Sequence, residues 1–294
     1  MSALIVGNLF QVACSSKGQA TDLEFVNWMK DAQLSVCALG PIIIQAPGDQ
    51  DLTLQVPLGY RNSPVVSPDG RSIAWIPWPT VFARSLDVRH VDDSGVHEVS
   101  AILPHDYTEV VESTISSRGV LVTVFYTGSS LSVVAVTLRI PGTIEVFPGL
   151  LEDIGRYDLE RLSISSDGQF LACGTRDRSI LLHLATKQRV FDVSGRFPTV
   201  SPDGQLFAWV GREGDLNCKA ISGINSRQDM AGRILGLGSV SPDGRYLLAG
   251  QRKVVGQSLC VIDVKSFESV ATLAALGEGN YGQAARWISN KLLA

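Results

Sequence analysis

Charge is scarce in this chain, and residues that carry chemistry are scarcer. Charged residues make up 18% of 294, and the net charge is -4. No basic run occurs, so the long-range electrostatic footprint of a nucleic-acid binder is missing. Arg176, Arg178, Arg252 and Lys253 form a local basic group that reads as solvated loop charge. The four histidines are His90, His97, His105 and His183, and none belongs to a metal-spaced pair. His183 falls on a strand and reads as a satisfied structural residue. There is no Gly-x-Ser-x-Gly elbow for a nucleophile. Gly277, Gly279 and Gly282 have the spacing of a dinucleotide loop, but no helical pattern follows them. The five cysteines, Cys14, Cys37, Cys173, Cys218 and Cys260, are odd in number and lie inside strand patterns. They read as small buried apolar groups in a reducing compartment. Glu152, Asp153, Asp158 and Glu160 lack the ligand spacing of a calcium loop and read as a solvated acidic segment. No stretch approaches the roughly 20 apolar residues of a membrane span. Val12-Ala13-Cys14 has no Lys or Arg before it, and Asn8 and Gln11 interrupt the apolar run, so no secretory signal is expected. The expectation is a cytoplasmic protein without metal, cofactor, nucleic-acid or membrane partner.

What the chain has in abundance is repetition. Ser-Pro-Asp-Gly stands at 67–70, 201–204 and 241–244, Ser-Ser-Asp-Gly at 165–168, and Ser-Ser-Arg-Gly at 116–119. Each copy lies between two short apolar stretches. Pro at the second position presets φ for a type I turn, and Asp and Gly suit the third and fourth. A type I turn followed by a left-handed residue is a common hairpin connection. The first Ser can hydrogen-bond to the turn backbone and close it. The turn by itself accounts for Asp31, Asp69, Asp167, Asp203 and Asp243, with no catalytic or metal role required.

Two degenerate copies extend the series, one at 28–34 and a shortened one at 287–294. The copies then start at 29, 67, 116, 165, 201, 241 and 289, separated by 36 to 49 residues. That period matches four-stranded propeller blades. The expected fold is an all-β, seven-bladed β-propeller forming a single domain over 1–294. The turn joins the first and second strands of each blade. The seventh copy ends within its second strand, so residues 1–14, with apolar stretches at 3–6 and 10–14, are expected to complete it with 284–294. Such closure removes exposed sheet edges. The alternative is six blades with an N-terminal extension.

The repeated Ser-Pro-Asp-Gly, the segment 174–184 (GTRDRSILLHL) and Val261-Ile262-Asp263-Val264 make the chain resemble the WD-repeat and TolB-like propellers. The resemblance covers nearly the whole chain. It departs from the strict WD pattern, because His183-Leu184 and Ile262-Asp263 stand where Trp-Asp would end the third strand. The Gly-His pair of that pattern is also missing. The resemblance implies a platform for protein partners, and only occasionally an enzyme.

In such a propeller the second-to-third-strand and fourth-to-first-strand loops share one face. On consecutive blades that face carries the apolar loop 77–84 with Trp78 and Phe82, then His105 and Tyr107, then Tyr126, and then 149–157 with Leu150, Leu151 and Tyr157. Aromatic side chains often carry interface energy, and exposed apolar patches mark interaction sites. These residues are therefore the candidate partner-binding set of a non-catalytic module, a scaffold or cognate inhibitor, monomeric on its own. Alternatively Trp78 and Phe82 fold back over the blade core, as Leu150 and Leu151 are expected to do. Two other readings stay open. One is a lyase or glycan hydrolase at the central channel, drawing on His105, Glu112, Arg161 and Arg286. The other is a small-ligand or sugar-binding propeller, against which the differing loops count.

Overall fold

The computed structural model describes residues 33–35, 42–45, 51–54, 65–67, 73–75, 83–92, 95–107, 109–127, 130–138, 143–155, 158–221, 225–228, 233–241, 243–252 and 257–276. The copies at 28–34 and 287–294, the stretches 1–14 and 284–294, and Cys14 and Cys37 fall wholly or largely outside them. Every regular element among the described residues is a strand, and every pairing is antiparallel.

The chain divides into two compact units. Unit one begins with a three-stranded sheet of β1 (Gln33–Ser35), β2 (Ile42–Gln45) and β3 (Asp51–Leu54). A four-stranded sheet follows, built from β4 (Val65–Val66), β5 (Ile73–Trp75), β6 (Ala83–Asp92) and β7 (Gly95–Tyr107). The next contains β8 (Glu109–Ile115), β9 (Val120–Thr127), β10 (Ser130–Thr137) and β11 (Thr143–Leu151). Unit two holds three more. The first is β12 (Leu159–Ile164), β13 (Phe170–Thr175), β14 (Arg178–His183) and β15 (Gln188–Ser194). The second is β16 (Arg196–Val200), β17 (Leu206–Val210), β18 (Leu216–Ala220) and β19 (Asn225–Gln228). The third is β20 (Arg233–Val240), β21 (Tyr246–Arg252), β22 (Gln257–Asp263) and β23 (Ser269–Leu276). Each sheet is a meander in chain order, as expected from short loops between neighbouring strands. This architecture is compatible with a β-propeller.

The repeated turn joins the first two strands of the sheets that begin with β8, β12, β16 and β20, where the sequence places it. In unit two it has one chemistry, three times over. Gly168, Gly204 and Gly244 have φ of 76°, 68° and 72°, a region glycine enters without steric cost. Their N–H groups donate to the carbonyls of Ser165, Ser201 and Ser241 at 2.8–3.0 Å. Each Ser hydroxyl donates to the Asp two residues on and accepts from the N–H of Phe170, Leu206 or Tyr246. Each Asp carboxylate also accepts the N–H of Gln169, Gln205 or Arg245, at 2.9–3.1 Å. The turns lie side by side. Ser166 N–H donates to the Pro202 carbonyl at 2.7 Å, and a Cβ on Gly244 would stand 3.3 Å from Asp203 Oδ2.

The turn at 116–119 is shorter. Ile115 pairs with Leu121, whereas Ile164 pairs with Leu171, Val200 with Phe207 and Val240 with Leu247. Gly119 keeps its φ of 73° and its bond to the Ser116 carbonyl, at 3.1 Å. The residue after the glycine is now Val120, whose N–H goes to Ser116 Oγ at 3.0 Å. With one residue fewer, no extra N–H needs a carboxylate acceptor, and Arg118 stands in the Asp position.

Each unit has an apolar core. In unit one Leu86, Val88, Ile115, Leu121, Phe125, Val134 and Val136 pack together. In unit two Val210, Leu216, Ile234, Leu237, Leu247 and Ile262 do so, beside a second group around Ala172, Leu181, Val200 and Phe207. Fully burying one such aliphatic or aromatic side chain is worth about 1.5–3 kcal/mol. Phe207 stacks between Phe191 and Trp209, at centroid distances of 5.9 and 5.2 Å. Cys173, Cys218 and Cys260 are free and buried, as the strand pattern implies.

Candidate functional site

The aromatic candidates of unit one fall at one end of two successive sheets. Tyr107 is the last residue of β7, and its Cα partner on β6 is Ala83. Only Thr108 separates it from β8, whose first residue Glu109 is paired with Tyr126 of β9. Tyr126 in turn pairs with Leu131, and Leu131 with Leu151. His105, Tyr107 and Tyr126 therefore sit at the same strand ends. Trp78, Phe82 and Tyr157 lie outside the described residues, although Phe82 immediately precedes β6 in sequence.

Two loop expectations are corrected. Residues 104–107 belong to β7 and not to a connecting loop. The register runs from Ala83 opposite Tyr107 to Ser85 opposite Ile102, so β7 carries extra residues around Pro104. Proline is tolerated there because β7 is the outer strand of its sheet, where a missing N–H breaks no ladder. Tyr126 is a half-buried strand residue of β9 and not a loop residue. Leu150 and Leu151 end β11 and are 8% and 0% exposed. They are core residues, as the sequence reading expects.

Ile102 escaped the sequence reading. It is 82% exposed. Val99 is buried whereas Ser100 is exposed, and Ile102 follows Ser100 on the outward face of β7. Strand alternation was the signal that marked it, once β7 was known to continue past residue 101.

The first strands β8, β12, β16 and β20 each carry an irregularity near their start. The register slips between Val110 and Glu112, Leu159 and Arg161, Arg196 and Thr199, and Ile234 and Gly236. Bulges of this kind re-aim side chains. Glu112 and Arg161 hold equivalent positions just after the slip. Glu112 Oε1 accepts the Ser113 N–H at 3.2 Å. Arg161 reaches past β16 to β20, where a second slip lies between Leu237 and Val240. There its guanidinium donates to the Leu237 carbonyl, and to the Gly238 carbonyl at 3.0 Å.

The other chemical candidates are tied to structure. His183 Nδ1 lies 2.7 Å from Thr186 Oγ1, and its ring packs against Phe170 at 4.8 Å. Burial pushes the Cys173 thiol far up, and the Cys218 thiol up to about 12, so both stay protonated and unreactive near neutrality. Glu152, Asp153, Asp158 and Glu160 are exposed. Among the described residues no three His, Cys, Asp or Glu side chains are grouped to hold a metal ion, and no helix is long and apolar enough to cross a membrane. The chain matches no family model and no curated protein sequence.

Proposed function

We propose that this chain is a seven-bladed β-propeller, closed by residues 1–14 pairing with 284–294, that serves as a non-catalytic cytoplasmic platform for a protein partner. The observation that carries this reading is the strand end in unit one that gathers His105, Tyr107 and Tyr126. The highly exposed Ile102 lies on the strand that ends at Tyr107, and the apolar loop sequence with Trp78 and Phe82 leads into the strand paired with it. Apolar and aromatic groups at an exposed edge are what a protein partner buries. Arg161, the strongest candidate for a central catalytic cation, is engaged with backbone carbonyls, which favours the platform over a channel enzyme.

The test is affinity capture from host lysate with the wild type beside Trp78→Ala/Phe82→Ala/Tyr126→Ala, after both are shown to fold. A stoichiometric protein retained by the wild type and lost by the variant is the expected result. A protein retained by both moves the site off this face. The second reading, an enzyme, rests on the equivalent placement of Glu112 and Arg161 after their bulges. Turnover of a substrate that is lost in Glu112→Gln would replace the platform reading.

A further inference from the structure

Unit two carries an arc of arginines that the sequence scatters over seventy-odd positions. Arg176, Arg212, Arg233 and Arg252 are exposed, and Arg196 is half-buried. Backbone and side-chain contacts draw them onto one edge. Arg176 precedes Asp177, whose carbonyl accepts the Gly195 N–H at 2.8 Å, and Arg196 follows Gly195. Arg212 Nε donates to Ser194 Oγ at 2.7 Å, next to the same glycine. Arg212 belongs to the turn between β17 and β18, closed by Gly214 N–H on the Gly211 carbonyl at 3.0 Å. The Arg233 side chain lies directly on Gly214, and Ile234 N–H donates to the Gly214 carbonyl at 2.8 Å. Arg233 is finally paired across the ladder with Arg252.

Among the described residues, the ion pairs of unit two include Arg178 and Arg189 with Asp192, and Arg245 with Asp263. Among the described residues no carboxylate makes an ion pair with Arg176, Arg212, Arg233 or Arg252. Like charges held side by side repel one another, so an unpaired row of them is an electrostatic mismatch that an anionic partner relieves.

We infer that this edge of unit two is a docking surface for an acidic segment of a protein. Guanidinium groups present planar forks that match carboxylates bidentately. Asp177, Glu213 and Asp215 are interspersed among the arginines. A peptide can place its carboxylates between those acids, whereas a continuous phosphate backbone meets them head-on. The chain's net charge of -4 likewise opposes a nucleic-acid polyanion. The inference needs neither ring closure nor the aromatic surface of unit one, because every residue of the arc belongs to unit two.

The test uses fluorescence anisotropy of the full chain with a labelled Glu/Asp-rich peptide and, separately, a labelled single-stranded oligonucleotide. The variants are Arg212→Glu/Arg233→Glu/Arg252→Glu and the milder Arg212→Gln/Arg233→Gln/Arg252→Gln, each checked by thermal melting. The expected result is salt-sensitive peptide binding, weakened at least about tenfold by reversal and less by neutralisation. Trp78→Ala/Phe82→Ala/Tyr126→Ala is expected to bind the peptide like wild type, which separates this surface from the one in unit one. Absence of peptide binding overturns the inference. So does peptide binding untouched by both arginine variants, or tighter binding of the oligonucleotide than of the peptide.

Discussion

The two ends of the sheets in unit two follow opposite plans. At the end of the repeated turns the Ser hydroxyl and the Asp carboxylate are matched within their own turn, in the same way at 165–168, 201–204 and 241–244. At the other end the connections differ from sheet to sheet. Gly195 alone joins β15 to β16, Phe197 takes a φ of 55° within a bulge, and the arginines have no carboxylate partners among the described residues. Repetition satisfies hydrogen bonds cheaply, because one local solution serves every copy. Irregularity costs more, and a chain that retains it at one end only has its candidate for recognition there.

The largest expected effect comes from the irregular end. Gly195 is buried with φ of 147°, and an added Cβ would stand 2.5 Å from Trp209 Cδ1 and 2.6 Å from the Val210 carbonyl. Gly195→Ala is expected to destabilise by about 3–4 kcal/mol, read from the urea midpoint. A loss below about 1 kcal/mol would mean that this junction yields easily and is no rigid support for the arginines. Next comes the regular end. Ser201 is fully buried, and its hydroxyl donates to Asp203 and accepts the Leu206 N–H at 2.9 Å. Ser201→Ala leaves that N–H without its acceptor and is expected to lose about 2 kcal/mol.

The regular end was legible in sequence because its causes are local. Pro, Asp and Gly each have a conformational preference that acts within four residues, so the position of each described copy of the repeated turn follows from the letters. The shortening at 116–119 was missed, since the missing residue falls after the glycine and leaves the four-letter match intact. Residues 104–107 looked like a loop because Pro104 and His105-Asp106 are poor strand formers, but an outer strand accepts what a central one rejects. The link from Arg161 to Leu237 and Gly238 could not be read at all, because it depends on a bulge in a strand more than seventy residues away. The same holds for the arginine arc. Arg176, Arg196, Arg212, Arg233 and Arg252 become neighbours only through the stacking of sheet on sheet.

A paired substitution sharpens the account of the turn itself. Asp203 Oδ1 accepts the Gln205 N–H at 3.0 Å and the Ser201 hydroxyl, and Asp203→Ala removes both bonds. The Gln205 N–H lies near water, so the loss is expected to be about 1–2 kcal/mol. Arg118 is exposed in the shorter turn, where Val120 N–H is served by Ser116 Oγ. Arg118→Ala is expected to change stability by less than about 0.5 kcal/mol. Equal losses at the two positions would show that the carboxylate is not there to serve the additional N–H.

One further small effect depends on pH. Asp263 ends β22 opposite Tyr246, the place that His183 takes opposite Phe170 in the first sheet of unit two. Both residues bind forward into the following turn, His183 to Thr186 and Asp263 to the N–H groups of Lys265 and Ser266 at 2.9 and 3.2 Å. The Lys265 N–H is the main cause that holds the Asp263 carboxyl below the ordinary Asp value. Burial opposes it, and the Ser266 N–H and Arg245 assist. A carboxyl lowered in the folded state stabilises the fold above its unfolded pKa of about 3.9, and that stability is lost as pH falls from there through the folded pKa. Arg245 is largely exposed, so its ion pair with Asp263 adds little. Asp263→Asn is therefore expected to cost about 0.5–1 kcal/mol at pH 7, and the gap to wild type should begin to narrow as pH falls below about 4. Urea midpoints of the two proteins at pH 7 and pH 3 measure it. A gap that is no smaller at pH 3 than at pH 7 would mean that the turn requires the carboxylate's shape and not its charge. The neutral His183 turn and the anionic Asp263 turn would then be two forms of one backbone solution.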